Sequence, residues 1–146
     1  MKELVLISGS GRGLGSSIAK SFVTNGYKVA INYFKSEEKA HKLCDELGND
    51  THAFSADVSN ELEVKKMIYD IEAKYNQSPS ILVNNAMTEY VFNGDARKFA
   101  DEISWEEISN HLDVTLKGSL NLIQALIPSM KKHSHGRTCH RTSRFP

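Results

Sequence analysis

Cysteine is scarce in this chain: Cys44 and Cys139 are the only two, and they form no Cys-x-x-Cys pair. Both thiols are expected to be reduced, and neither a disulfide framework nor a redox couple is built in. Long hydrophobic runs are also missing. Nothing approaches the roughly 18 to 20 apolar residues of a membrane span. The apolar stretch Leu4 to Ile7 behind Met1, Lys2 and Glu3 is too short for a secretory signal. A cytoplasmic protein with no membrane partner is the expectation. There is no excess of either charge, since 18 Lys and Arg balance 18 Asp and Glu, and there is no internal repeat or low-complexity segment. What is present is 40% hydrophobic and 25% charged residues over 146 positions. That composition supports one soluble domain with one substantial core and excludes a disordered chain.

The balanced total hides an asymmetry. Residues 131 to 146 hold Lys131, Lys132, Arg137, Arg141 and Arg144 and no acid, so the 130 residues before them carry 13 basic against 18 acidic side chains. From His133 onward apolar residues nearly vanish and no period is visible, so 133–146 is expected to be a basic, disordered tail rather than a strand. His133, His135, Cys139 and His140 match no standard zinc spacing, and the basic residues lack interleaved aromatics beyond Phe145. Neither a metal nor a nucleic-acid partner is expected.

Ahead of the tail, apolar runs alternate with helical patterns. Leu4 to Ser8 reads as a strand buried on both faces. From Leu14 the spacing becomes helical, with Ile18, Ala19, Phe22 and Val23 on one face and Asn25-Gly26 as the stop. A second strand spans Lys28 to Tyr33, and Ser36 caps a helix that opens with Glu37 and Glu38 and ends before Gly48. Ala53 to Asp57 is a weaker third strand. Ser59 is expected to cap a helix that buries Val64, Met67, Ile68 and Ile71, and Ile81 to Val83 is a fourth strand. Ser104-Trp105-Glu106-Glu107 has the form of a capping box for a long helix, or two in series, to about Met130. This alternation predicts an α/β fold, a doubly wound parallel sheet of about four strands.

The segment with the clearest chemistry is Ser8-Gly9-Ser10-Gly11-Arg12-Gly13-Leu14-Gly15, between the first strand and its helix. Glycines there let the backbone approach a pyrophosphate and leave amides free at a helix N-terminus, where the helix dipole favours an anion. The spacing is Gly-x-x-x-Gly-x-Gly, neither Gly-x-Gly-x-x-Gly nor a Walker loop. In a dinucleotide site, an acid closing the second strand would accept from the ribose 2′-hydroxyl, but Asn32, Tyr33 and Phe34 supply none. Arg12 and Lys35 are instead placed to reach a 2′-phosphate, which favours NADP(H) over NAD(H). Asp57-Val58 and Asn84-Asn85-Ala86 close the third and fourth strands, at the ends where open α/β sheets bind ligands. Asp57 could accept from an adenine amino group, and the asparagines could hold the loop and line the groove.

Together these residues resemble the short-chain dehydrogenase/reductase family, in particular its 3-oxoacyl-acyl-carrier-protein-reductase-like group. Ser8-Gly9-x-x-x-Gly13-x-Gly15 is similar to the family's Thr-Gly-x-x-x-Gly-x-Gly loop, Arg12 to the basic residue of NADP-preferring members, Asp57-Val58 to the adenine-side pair, and Asn84-Asn85-Ala86 to Asn-Asn-Ala-Gly. The resemblance runs to about Gly136 and covers roughly the first half of the family fold. It implies a Rossmann-type sheet, an incomplete NADP-binding domain over 1–132, and NADPH-dependent interconversion of a small ketone and alcohol.

Departures from the family pattern bear on activity. Thr115 stands at the family's Asn position and Met87 at the glycine after Asn-Asn-Ala. The strand that would carry the catalytic Ser after Gly136 is not legible in the polar sequence there. No tyrosine has a lysine four residues later: at that offset Tyr27, Tyr33, Tyr69, Tyr75 and Tyr90 meet Ile31, Glu37, Ala73, Pro79 and Gly94. Without a positioned acid about 10² to 10⁴-fold in rate is lost. The expectations are an inactive, truncated or frame-shifted reductase, a nucleotide-binding module that docks on a partner, or an enzyme whose natural sequence continues in another frame. Self-association through an uncovered fourth-strand edge is also expected.

Overall fold

Four consecutive apolar residues make Leu4–Ile7 a strand, β1, because both of its faces are covered. Leu4 and Leu6 enter one hydrophobic cluster, Val5 and Ile7 the other. The computed structural model describes residues 2–48, 50–88, 98–99 and 101–140. Tyr90 and the tail residues 141–146, with Arg141, Arg144 and Phe145, lie outside the described residues.

The elements follow as α1 (Gly13–Thr24), β2 (Lys28–Tyr33), α2 (Glu37–Leu47), β3 (Thr51–Ser55), α3 (Glu61–Tyr75), β4 (Ile81–Asn84), α4 (Trp105–Leu112), a π-helical turn (Asp113–Lys117), α5 (Gly118–Lys132) and β5 (Arg137–His140). All strand pairs are parallel, in the order β3-β2-β1-β4-β5. The α/β doubly wound architecture read from the alternation is therefore the fold. One face buries Ala19 of α1 and Ala40 and Leu43 of α2 against Val5, Ile7, Val29, Ile31, Ile81 and Val83. The other buries Val64, Met67, Ile68 and Ile71 of α3 and Leu122 and Leu126 of α5 against Leu4, Leu6, Ala30 and Leu82. The chain builds outward from β1 to β3, then returns to lay β4 on the other side of β1. Strand order thus reverses between β1 and β4, the point where open α/β sheets leave a crevice at the strands' carboxyl ends.

Local signals were mostly honoured. Ser104 and Glu107 form the expected capping box, and the whole α3 face lies in the core. The α3 cap is Asn60 rather than Ser59: the Asn60 side chain accepts from the amides of Leu62 and Glu63, while Ser59 bonds Asp57. Ser36 flanks α2 but makes no side-chain cap bond.

The main correction concerns the tail. The expected four strands are five, because Arg137–His140 pairs along β4 with Ile81 opposite Arg137 and Asn84 opposite His140. All four residues are exposed. Nothing in their side-chain pattern marks a strand, and the pairing is carried by backbone hydrogen bonds. Arg137 N–H donates to Ser80 O at 2.9 Å, and ahead of it His135 Nε2 lies 2.6 Å from Glu3 Oε1. That bond to His135 holds the Glu3 carboxyl below its usual range. Among the described residues the outermost strand on this side of the sheet is therefore β5 and not β4.

A proline scan tests this pairing. Period-two alternation makes the Arg137 amide face β4 and the Thr138 amide face outward. Ser8 N–H takes Val83 O on the β1 side, so the Leu82 amide faces β5. Arg137→Pro is expected to accelerate hydrogen exchange at the Leu82 amide by at least about tenfold, the loss of one ladder bond of about 1.4 kcal/mol, whereas Thr138→Pro leaves it within about threefold. Equal effects would mean that β5 does not pair in this register.

Candidate functional site

The glycine pattern has specific steric causes. Gly9 (φ +61°) and Gly13 (φ +58°) adopt left-handed backbone that L side chains rarely take. A Cβ on Gly9 would sit 2.8 Å from Ala86 Cα, one on Gly11 2.8 Å from Ser36 Oγ, and one on Gly15 2.6 Å from both Ser10 Cα and Asn85 Nδ2. At Gly13 a Cβ would meet none of the described residues within 4 Å, so the loop is open towards them there. The following α1 has no acid in its first turn and no side-chain cap bond from Arg12, whose backbone is extended. Its N-terminal amides are thus not engaged by a cap, in the arrangement that favours an anion.

Two neighbouring strand ends lock this loop. Ser8, 1% exposed, accepts from the amides of Asn85 and Ala86 at 3.0 Å each, and its hydroxyl lies 3.4 Å from Val83 O. Asn85 Nδ2 donates to Ser8 O and Gly9 O, both at 3.0 Å. Ser10 Oγ donates to Ile7 O at 2.7 Å, and Ser10 N–H to Asn32 O at 2.9 Å. Ser8, Ser10 and Asn85 are therefore buried supports, and the exposed lip of the loop is Arg12, Gly13 and Leu14.

In front of the loop lies a groove of about 970 Å³, within the usual range for small-molecule sites. Gly9, Arg12 to Gly15, Lys35, Asp57, Val58, Asn85 and Ala86 all line it. Lys35 is exposed, its Nζ 5.6 Å from the Phe34 ring centroid. Tyr33 donates towards Glu37 Oε1 at 3.4 Å, and burial, then that carboxylate, raises its pKa. Asp57 Oδ1 accepts from Ser59 N and Oγ at 2.9 and 2.7 Å, which holds the loop after β3 in place. A second concavity of about 640 Å³, beside β3 between α2 and α3, contains none of the expected site residues.

Four placements add to a simple reading of the motifs. Asn84 does not line the groove: it is 4% exposed, and among the described residues neither of its amide atoms has a hydrogen-bond partner. Strand alternation sends Asn84 to the core side and leaves Asn85 to hold the loop. Asn32 lines the groove from beneath the loop, 2% exposed and with its Oδ1 accepting from Gly9 N–H. Thr115 lies in the π-helical turn, where its Oγ1 donates to His111 O at 2.5 Å, so this hydroxyl's proton is used by its own helix. Met87, at the family's glycine position, lines the groove at 47% exposure.

Two further supports escaped the motif reading. Asn121 Nδ2 donates to Val58 O at 2.9 Å, and a Cβ on Gly118 would lie 2.6 Å from Val58 Cγ2. The start of α5 is thus pressed against the Asp57-Val58 loop. A polar residue on the core-facing stripe of an apolar helix was the only available signal for Asn121.

The short chain dehydrogenase family model matches residues 3–144. The chain belongs to the short-chain dehydrogenase family. The match passes through β5, so the likeness does not lapse at Gly136. The 3-oxoacyl-[acyl-carrier-protein] reductase of Staphylococcus epidermidis is 33% identical over 146 aligned residues, 98% of this chain and 57% of the relative. Among solved structures, serine dehydrogenase from Escherichia coli superposes with a TM-score of 0.81 at 28% identity, covering 94% of this chain and 60% of that one. The 3-ketoacyl-(acyl-carrier-protein) reductase of Brucella melitensis, complexed with NADH, superposes at 0.80 and 29% identity, covering 90% and 51%. The chain thus spans just over half the length of the relatives it matches. Short-chain dehydrogenases are oxidoreductases dependent on nicotinamide dinucleotides. Among the described residues, no helix is long and apolar enough to cross a membrane, and no group of three or more His, Cys, Asp or Glu could hold a metal.

Proposed function

We propose that this chain binds a nicotinamide dinucleotide in the groove between β1 and β4, NADP(H) in preference to NAD(H), and does not transfer hydride on its own. The observation that carries the reading is the glycine loop: open at Gly13, with no acid or side-chain cap at the start of α1, and giving onto a groove of dinucleotide size. Amides at Gly11 to Gly15 would receive the pyrophosphate, and Arg12 and Lys35 a 2′-phosphate. Asp57 and Val58 would flank the adenine, while Asn85 and Ala86 form the wall beneath the nicotinamide half. Asn84 has no direct part.

The dinucleotide would supply the hydride donor or acceptor for a ketone and alcohol pair. The chain's own residues supply position but no proton: no Tyr-x-x-x-Lys is present, and Thr115 donates to His111 O. Small carbonyl or alcohol substrates belong to the same reading, as do a cytoplasmic location and pairing with another chain at the open edge of β5.

Thermal unfolding in the presence of each nucleotide tests it, since a ligand that binds only the folded state raises the midpoint. The midpoint is expected to rise more with NADPH than with NADH. Arg12→Ala should weaken NADPH about 10- to 100-fold, the worth of a charged hydrogen bond, and NADH by no more than about twofold. No shift with either nucleotide, or a larger one with NADH, overturns the reading. Oxidation of NADPH by a ketone is expected to stay at background.

A further inference from the structure

We propose that Asn32 is a positioning residue of the groove, the counterpart of Asn85 in a clamp on Gly9; this rests on the dinucleotide reading above. Each of the two peptide groups flanking Gly9 is bound at both ends. In the first, Gly9 N–H donates to Asn32 Oδ1 at 3.1 Å and Ser8 O accepts from Asn85 Nδ2. In the second, Ser10 N–H donates to Asn32 O and Gly9 O accepts from Asn85 Nδ2. One asparagine takes both N–H groups and the other supplies both carbonyl partners. This arrangement fixes a glycine in left-handed backbone and leaves Arg12 to Gly15 lining the groove.

Asn32 also joins a third strand end. Its Nδ2 donates to Ala56 O at 3.1 Å, just ahead of Asp57, so the pyrophosphate and adenine sides of the groove are held by one side chain. That side chain is 2% exposed, on the face of the sheet that carries Met67. Only a group that accepts on one branch and donates on the other fits there. An ionised carboxylate would face the Ala56 carbonyl with a second acceptor, in a place where burial disfavours its charge. A protonated carboxyl restores the pattern, accepting from Gly9 and donating to Ala56.

Asn32→Asp therefore converts groove geometry into a pH-dependent property. Burial raises the new carboxyl's pKa; the cations Arg12 and Lys35 and the carboxylates Glu37 and Asp57 line the same groove, and Arg12, Lys35, Glu37 and Lys39 are exposed there. NADP⁺ affinity and protection of the Gly9 amide from hydrogen exchange are measured between pH 5 and pH 8, the latter without nucleotide. At the acid end the variant is expected within about threefold of wild type, and at pH 8 at least about tenfold weaker, with Gly9 protection falling in step. Asn32→Ser, which loses both bonds without adding charge, should be weak at every pH, and it serves if Asn32→Asp does not fold at pH 8. A variant whose affinity and Gly9 protection track wild type across the range overturns the clamp. A wild-type protein that binds no NADP⁺ overturns the groove reading instead, and Gly9 protection then decides on Asn32 by itself.

Discussion

Gly15→Ala is expected to destabilise the protein by about 2 to 3 kcal/mol and to abolish nucleotide binding. The added methyl would lie 2.6 Å from Ser10 Cα, 2.6 Å from Asn85 Nδ2 and 2.8 Å from Gly9 O. Two of these atoms are backbone, which no rotamer change can clear, and overpacking of a closed site costs in this range. The third belongs to the amide that binds Ser8 O and Gly9 O, so relief by movement of Asn85 releases the clamp. Gly26→Ala is the control: Gly26 has φ +85° with open space around it, and its replacement costs about 1 kcal/mol of backbone strain without touching the groove. Denaturant midpoints of the two variants decide the matter. A Gly15→Ala protein as stable as Gly26→Ala, with nucleotide binding retained, would show that the loop and Asn85 are not in close approach.

Ser8→Ala is expected to cost about 2 to 4 kcal/mol, more than is usual for a hydroxyl, because the hydroxyl oxygen serves two donors. Without it the amides of Asn85 and Ala86 lose their acceptor, and an unsatisfied buried donor costs about 1 to 3 kcal/mol. The loss falls on the contact between the carboxyl ends of β1 and β4, so nucleotide affinity should fall with stability. Ser8→Thr keeps the oxygen, and its midpoint should lie within about 1 kcal/mol of wild type. If Ser8→Ala proves as mild as Ser8→Thr, water reaches those amides and the two strand ends are not latched as described.

Much of this architecture could be read directly from residues. Leu4–Ile7, Val29–Ile31 and Ile81–Val83 are apolar on successive positions, short runs bounded by turn residues that suit a strand covered on both faces. Val64, Met67, Ile68 and Ile71 share one helical stripe and are all buried. The glycine loop was legible because left-handed turns and close approaches leave no substitute for glycine. Asn84 and Asn85 were not separable as letters: they are adjacent and chemically identical, and only the strand's alternation sends one to the core and the other to the loop.

The sequence by itself determined the alternation of strands and helices, the parallel sheet this implies, the place of the glycine loop, and the absence of a Tyr-x-x-x-Lys pair, because each is a local pattern or a simple count. The tertiary structure decided what depends on partners distant in the chain. It made Arg-Thr-Cys-His a fifth strand, since an edge strand is held by the backbone of its neighbour and leaves no mark on side chains. It moved the α3 cap to Asn60 and directed the Thr115 hydroxyl to His111. It turned Asn32, 23 positions from Gly9, into the acceptor for that amide. A hydrogen bond between residues far apart in sequence is set by the packing of the sheet that brings them together, and no spacing rule along the chain encodes it.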